Sequence, residues 1–213
     1  MSVRMRKKKN LGPRLEACAS LMISDPASLK GQWRSLLKTE RLSLEIGCGK
    51  GKFTCGTAEA NPDEGIIALE RVPEAIVMAA EKSCAAGLSN VRYVIGDAAN
   101  LTDFFEEGEL DRIYVNFCDP WPKKKQAKRR LVHGDFLKVY ASLLSPEGEV
   151  FFKTDNRPLF DFALEEIASS PFEAQNVSYD LASSGMANIT TEYEEKFMSL
   201  GTPINRVEMR KRK

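Results

Sequence analysis

This 213-residue chain has little of what metal and redox chemistry needs. It carries one histidine, His133, and five cysteines, at positions 18, 48, 55, 84 and 118, an odd count with no C-x-x-C pair. A structural zinc site is not expected from that set, and reduced thiols in a cytoplasmic protein are the simple reading. No uninterrupted apolar span approaches the roughly 20 residues of a membrane helix. The basic start (Arg4, Arg6, Lys7, Lys8, Lys9) is not followed by a hydrophobic segment, so no secretory signal is read. Internal repeats and low-complexity blocks are also missing. The expectation is a protein without metal or membrane, one domain in size, and long enough for one substantial core.

Net charge is nearly absent too, at +1, but that balance hides segregation. Residues 4–9 carry five basic groups, 123–130 carry six and 210–213 carry four, with no acid in any of these windows. They hold 15 of the 31 Lys and Arg, leaving 16 basic against 30 acidic residues elsewhere. An acidic body with concentrated basic patches suits a polyanion bound locally, and the central patch carries most of that argument.

Residues 1–25 lack clean periodicity and read as a basic, mobile arm with a short ordered part. Residues 26–213 then form a single domain in which apolar runs alternate with helical patterns. Strands are expected at 41–46, 66–70, 91–95, 111–117 and 149–153, and helices at 52–60, 73–86, 135–144 and 158–169, with a loop at 61–65. Pro73 falls in the first turn of its helix. The alternation predicts an α/β fold: a Rossmann-like, doubly wound, mostly parallel sheet. Residues 172–213 break the rhythm, with a strand at 174–179, a loop at 183–189, a helix at 192–199 and a final strand at 204–210.

The first strand ends in Glu45-Ile-Gly-Cys-Gly-Lys-Gly51. Glycines there let the backbone turn tightly and approach a ligand without a Cβ in the way, although an ordinary βα turn has the same look. The spacing is G-x-G-x-G, not the G-x-G-x-x-G of dinucleotide binders, and Glu45 would repel a pyrophosphate. Glu70, 23 residues after Gly47, ends the second strand where a carboxylate can bind two ribose hydroxyls. A ligand with an ammonium and a sulfonium would welcome these acids, which points to S-adenosylmethionine. After the third strand, Gly96-Asp97-Ala98 offers a carboxylate for an adenine amine with room for the ring. Capping of a helix is the plainer use of Asp97. Cys48, within the glycine turn, is assigned no role.

The fourth strand runs into Asp119-Pro-Trp-Pro122 and then Lys123-Lys-Lys-Gln-Ala-Lys-Arg-Arg130. A carboxylate and a flat ring at a strand mouth suit a planar hydrogen-bonding group such as a nucleobase, and the cations suit its phosphates. A proline-stiffened turn leading into a solvated basic helix is the alternative. Trp121 either stacks on a base or braces the loop. Asp155 either accepts from a guanine edge or caps the following helix. Thr191, Tyr193 and Glu194 have the composition of an ordinary helix start. His133 is expected at a helix start or on the surface.

With E-I-G-C-G-K-G, the Glu70 strand end, G-D-A and D-P-W-P-K-K-K-x-x-K-R-R-L in order, residues 40–210 resemble the bacterial tRNA (guanine-N7-)-methyltransferases. Lys153-Thr-Asp-Asn156 and Thr191-Glu-Tyr-Glu194 match later motifs of that family. The resemblance implies the class I methyltransferase sheet with an antiparallel strand near the C-terminus. It also implies S-adenosylmethionine as methyl donor, tRNA as partner and a variable-loop guanine (position 46) as target. The expected location is the cytoplasm, and the sequence leaves monomer or homodimer open. It places Glu45, Gly47, Gly49, Glu70, Asp97, Ala98 and Asp119 around the cofactor, with Asp119 also the catalytic candidate. Substrate and RNA contacts fall to Lys123, Lys125, Lys128, Arg129, Arg130, Asp155, Thr191, Tyr193 and Glu194. Many members carry a histidine within the basic run; here Gln126-Ala127 occupy that stretch. Two other readings compete: an adenine-N6 methyltransferase, whose D-P-P-aromatic motif differs from Asp-Pro-Trp-Pro, and a non-catalytic RNA-binding module on a methyltransferase fold.

Overall fold

Runs of consecutive apolar residues, as in Ile66-Ile-Ala-Leu69, suit strands covered on both faces, the condition of parallel sheets. The computed structural model describes residues 10–212 and bears this out. The chain divides into two compact units. The first runs to Glu106 and includes Ile189–Thr191; the second comprises Glu107–Asn188 and the chain from Glu192 onward.

In the first unit the elements are α1 (Leu11–Ala17), β1 (Met22–Ile23), α2 (Trp33–Leu37), β2 (Arg41–Ile46), α3 (Lys52–Ala60), β3 (Glu64–Glu70), α4 (Pro73–Ala85), β4 (Val91–Ile95) and α5 (Leu101–Phe104). The strands lie in the order β1-β4-β3-β2 and pair in parallel. Parallel neighbours need crossovers, which α3 and α4 supply. Ile66, Ala68, Ile76, Ala79, Ala80, Val91 and Tyr93 fill the core between sheet and helices. Full burial of an Ile or Val side chain contributes about 1.5–3 kcal/mol. Gly51 turns into α3 at φ 81, and an added Cβ would collide with Ala79 of α4. This glycine therefore serves helix packing. Arg14 of α1 forks onto Glu81 of α4 with two bonds of 2.6 Å.

The second unit contains β5 (Leu110–Asn116), α6 (Gly134–Leu143), β6 (Leu144–Thr154), α7 (Arg157–Ala168), β7 (Phe172–Ser178), α8 (Glu192–Ser199) and β8 (Asn205–Lys211). Its strand order is β5-β6-β8-β7; β5 and β6 are parallel, and β8 runs against both of its neighbours. This is the antiparallel strand expected near the C-terminus. Val115, Leu137, Val150, Phe152, Phe160, Val207 and Met209 are fully buried in it.

Several boundaries differ from expectation. The strand expected at 149–153 begins at Leu144 and runs through Pro146 and Gly148, the residues read as a stop. The loop expected at 61–65 gives way to β3 at Glu64, whose carboxylate is buried against Ser43. Periodicity was too short to show α1, β1 and α2. Within residues 1–25, α1 and β1 are formed; residues 1–9 lie outside the described residues. No helix among the described residues is long and apolar enough to cross a membrane.

Candidate active site

Parallel register brings three of the sequence motifs to one end of the first unit. Ile46 pairs with Leu69, and Glu70 with Ile95, so the glycine turn, Glu70 and Gly96-Asp97 all follow strand ends at the same edge. Backbone bonds stitch these ends together: Gly47 N and Cys48 N donate to Leu69 O at 2.8 and 3.1 Å, and Gly96 N donates to Glu70 O at 3.1 Å. Gly47 and Gly49 have φ 81 and 56, and a Cβ built on either meets nothing within 4 Å. There the requirement is the left-handed backbone and an open approach.

Glu70 accepts from Gly49 N (3.1 Å) on one oxygen and from Val72 N (2.9 Å) on the other. Each carboxylate oxygen has a further lone pair, so the side chain is aimed and still able to accept ligand hydroxyls. Glu45 is only 2% exposed and accepts from Thr54 Oγ1 at 2.5 Å. It acts through its field more than through an open oxygen. That field is visible at Cys48, whose thiol is pushed well above its ordinary range by burial and then by Glu45 and Glu70. Asp97 takes the capping role weighed for it, accepting from Ala99 N at 3.0 Å, while its other oxygen lies 3.4 Å from Arg71 Nη1. Ala98 is buried, and Ile95 exposes apolar surface beside them. Thr191, which belongs to this unit, is buried.

In the second unit, β5 and β6 pair with Asn116 opposite Lys153. Asp119 and Asp155 therefore follow the same ends of two neighbouring parallel strands. Neither carboxylate has a hydrogen-bond or ion-pair partner among the described residues. The helix after Asp155 is capped instead by Asn156, which accepts from Leu159 N at 2.9 Å. Beyond β5 the chain bends through two left-handed residues, Phe117 (φ 52) and Trp121 (φ 41). Phe117 N donates to Lys153 O at 2.9 Å, and its ring stacks on Tyr193 and Phe197.

The basic run forms a 3₁₀ helix over Lys124–Arg129. Lys123, Lys125 and Lys128 are exposed, and Arg129 places its guanidinium 4.9 Å from the Trp121 ring. Arg130 turns inward onto the loop carbonyls of Pro120 and Trp121. His133 starts α6 and accepts from Asp135 N at 3.1 Å, as expected of a helix start. Tyr193 is 56% exposed, whereas Glu194 is fully buried and ion-paired with Lys153 at 2.7 Å.

Three residues of this arrangement escaped the sequence reading: Arg71, Phe117 and Asn188. Lys153 stood in the Lys153-Thr-Asp-Asn156 motif without a role of its own. Its partner lies 41 residues away, and nothing local links them.

A family described as "Putative methyltransferase" matches residues 39–207, which extend through both units. The tRNA (guanine-N(7)-)-methyltransferase of Clostridioides difficile (strain 630) is 44% identical over 213 residues, covering 99% of this chain and 100% of its own. The protein of the same name from Bacillus subtilis (strain 168) is 43% identical over 209 residues, covering 97% and 98%. Among solved structures, the 16S rRNA methyltransferase KamB matches with a TM-score of 0.65 at 16% identity, over 85% of this chain and 92% of its own. That likeness shows the α/β methyltransferase fold. The identities along nearly the whole chain show more: the chain belongs to the bacterial tRNA (guanine-N7-)-methyltransferase family of class I S-adenosylmethionine-dependent enzymes.

Proposed function

We propose that this protein transfers the methyl group of S-adenosylmethionine to N7 of a guanine in tRNA, namely guanine 46 in the variable loop, and that it works in the cytoplasm. The observation that carries the reading is Asp119: a carboxylate with no partner among the described residues, on a loop held by Arg130 and followed at once by exposed lysines.

The residues of the first unit fit this cofactor. Cβ-free glycines leave the turn open, and Glu45, Glu70 and Asp97 make its surroundings negative, which suits a cationic ligand and would repel a pyrophosphate. Glu70 would accept from ribose hydroxyls, and Asp97, beside buried Ala98 and exposed Ile95, from the adenine amine. When bound, the sulfonium supplies an electrophilic methyl group.

Guanine N7 carries an in-plane lone pair and no proton, so no strong base is required before attack. The protein must place N7 in line with the methyl carbon and offset the positive charge that develops on the purine. Asp119 offsets that charge or accepts from the base; Asp155 accepts from guanine N1–H or N2–H. Lys123, Lys125, Lys128 and Arg129 hold the RNA backbone.

The deciding experiment is incubation with unmodified tRNA and methyl-labelled S-adenosylmethionine, followed by nucleoside analysis and mapping of the labelled position. Label in 7-methylguanosine at position 46 is expected. Label in N6-methyladenosine would overturn the guanine reading, and no label despite measurable cofactor binding would overturn the enzyme–substrate pairing.

A further inference from the structure

The family resemblance assigns the whole Thr191–Glu194 segment to the substrate. Glu194 is ill placed for that. Its residue is 0% exposed, one carboxylate oxygen accepts from Lys153 Nζ at 2.7 Å, and the other accepts from Asn188 Nδ2. Lys153 Nζ also donates to Asn188 Oδ1 at 2.9 Å. Cation, anion and amide close a ring of contacts, as buried charges must to offset their desolvation.

That ring is coupled to the loop bearing Asp119. Lys153 O accepts from Phe117 N, two residues before Asp119. The Phe117 ring stacks at 6.5 Å on Tyr193, the neighbour of Glu194, and at 6.3 Å on Phe197, one turn further along α8. The circuit therefore runs from β6 through the Lys153 ammonium to Glu194, along α8 to Tyr193, and back through Phe117 to β6. Tyr193 keeps 56% of its surface outside the stack, and an exposed aromatic face is what a splayed nucleobase stacks upon.

We propose that Lys153 and Glu194 are positioning residues that dock α8 on the ends of β5 and β6, and that Tyr193, not Glu194, is the member of this segment that meets the guanine. This inference rests on the guanine-methylation reading above. The circuit sets Tyr193 and the Asp119 loop in one fixed relation, so loosening it slows the chemical step more than it weakens RNA binding.

The test is steady-state methylation of unmodified tRNA by wild type, Lys153→Met, Glu194→Gln and the double variant, with melting temperatures measured alongside. Each single variant should lose about 100-fold in kcat, the scale of a small misplacement, with KM for tRNA changed less than about threefold. The double variant removes both charges and keeps the amide contact to Asn188, so it should return to within about tenfold of wild type. Tyr193→Leu should be about 30-fold down in kcat/KM, the scale of one lost stacking contact. A double variant as slow as Glu194→Gln would mean that Glu194 itself touches the base and would overturn the inference, as would a Lys153→Met enzyme at full rate. Should Lys153→Met fail to fold, Asn188→Ala decides: a kcat loss of about tenfold supports the circuit, and none overturns it. A wild type that makes no 7-methylguanosine would fell the guanine reading and this inference together; an active wild type beside an unimpaired Lys153→Met fells this one alone.

Discussion

The guanidinium of Arg130 bridges two consecutive carbonyl groups, donating from Nε to Pro120 O and from Nη2 to Trp121 O, each at 3.1 Å. Its other side packs 4.2 Å from the Phe162 ring. Trp121 sits at φ 41, a conformation that costs an ordinary residue about 1–2 kcal/mol. Arg130 thus holds a strained loop in place, and the planar fork does so with two parallel bonds that a lysine cannot reproduce. Arg130→Lys should lower kcat by about 10- to 100-fold while leaving the salt dependence of tRNA binding unchanged. Lys125→Ala should do the reverse, keeping kcat and lowering the slope of log affinity against log salt by about 0.7–0.9. Binding measured at several salt concentrations separates the two roles.

Asp119 follows β5 without a partner among the described residues, so replacing it disturbs little else in the structure. Asp119→Asn keeps the shape and removes the charge. A loss of about 10²–10³ in kcat is expected if the carboxylate offsets charge developing on the purine. Near-normal turnover would remove the electrostatic role.

The sequence was most legible where local chemistry and tertiary structure demand the same thing. The glycine turn, Glu70 and Asp97 sit at strand ends because continuous apolar runs and turn residues announce those ends, and register then aligns them without further information. Asp97 shows the limit: one oxygen caps Ala99 N, the plainer use weighed for it, while the other faces Arg71, a partner that local sequence does not announce. β6 starts five residues earlier than expected because Pro146 and Gly148 look like a terminus, yet they lie in the half of the strand before β5 and β8 pair regularly with it. The positions of Arg130 and Glu194 were illegible for a different reason. Whether a charged side chain faces solvent or a buried partner depends on residues 10 to 41 positions away, and composition carries no trace of such pairings.

Two glycines of one turn should fail in different ways. At Gly51 an added Cβ collides with Ala79 and the backbone is left-handed, so Gly51→Ala combines overpacking with strain. A destabilisation of about 2–5 kcal/mol follows, lowering the melting temperature by on the order of 10 °C. At Gly49 a Cβ meets nothing, and only the strain remains, about 1–2 kcal/mol. Gly49→Ala should therefore stay folded while weakening S-adenosylmethionine binding, because the new methyl group stands where the ligand approaches. Melting curves with and without cofactor distinguish these outcomes.

The thiol of Cys118 reports on Asp119 from the adjacent position. Burial raises its pKa to about 12, and the Asp119 charge adds to that rise. At pH 8 only about one molecule in 10⁴ would carry the thiolate, which is the nucleophile. Cys84, which is exposed, should therefore be alkylated by iodoacetamide in the folded protein while Cys118 is spared, as mass spectrometry of peptides would show. Asp119→Asn should raise the Cys118 alkylation rate, because one of the two influences that raise its pKa is gone. The same shift has a stability consequence whose sign is fixed by linkage. The folded-state pKa lies above the ordinary value of 9.0, so the folded form retains its proton while the unfolded chain releases one. Stability contributed by the protonated thiol is complete below pH 9 and is lost progressively as pH rises toward 12. Melting temperature should accordingly fall between pH 9 and the highest pH tested, and Cys118→Ala should fall less steeply than wild type over that range. Equal slopes for the two proteins would show that Cys118 is not held protonated by the fold.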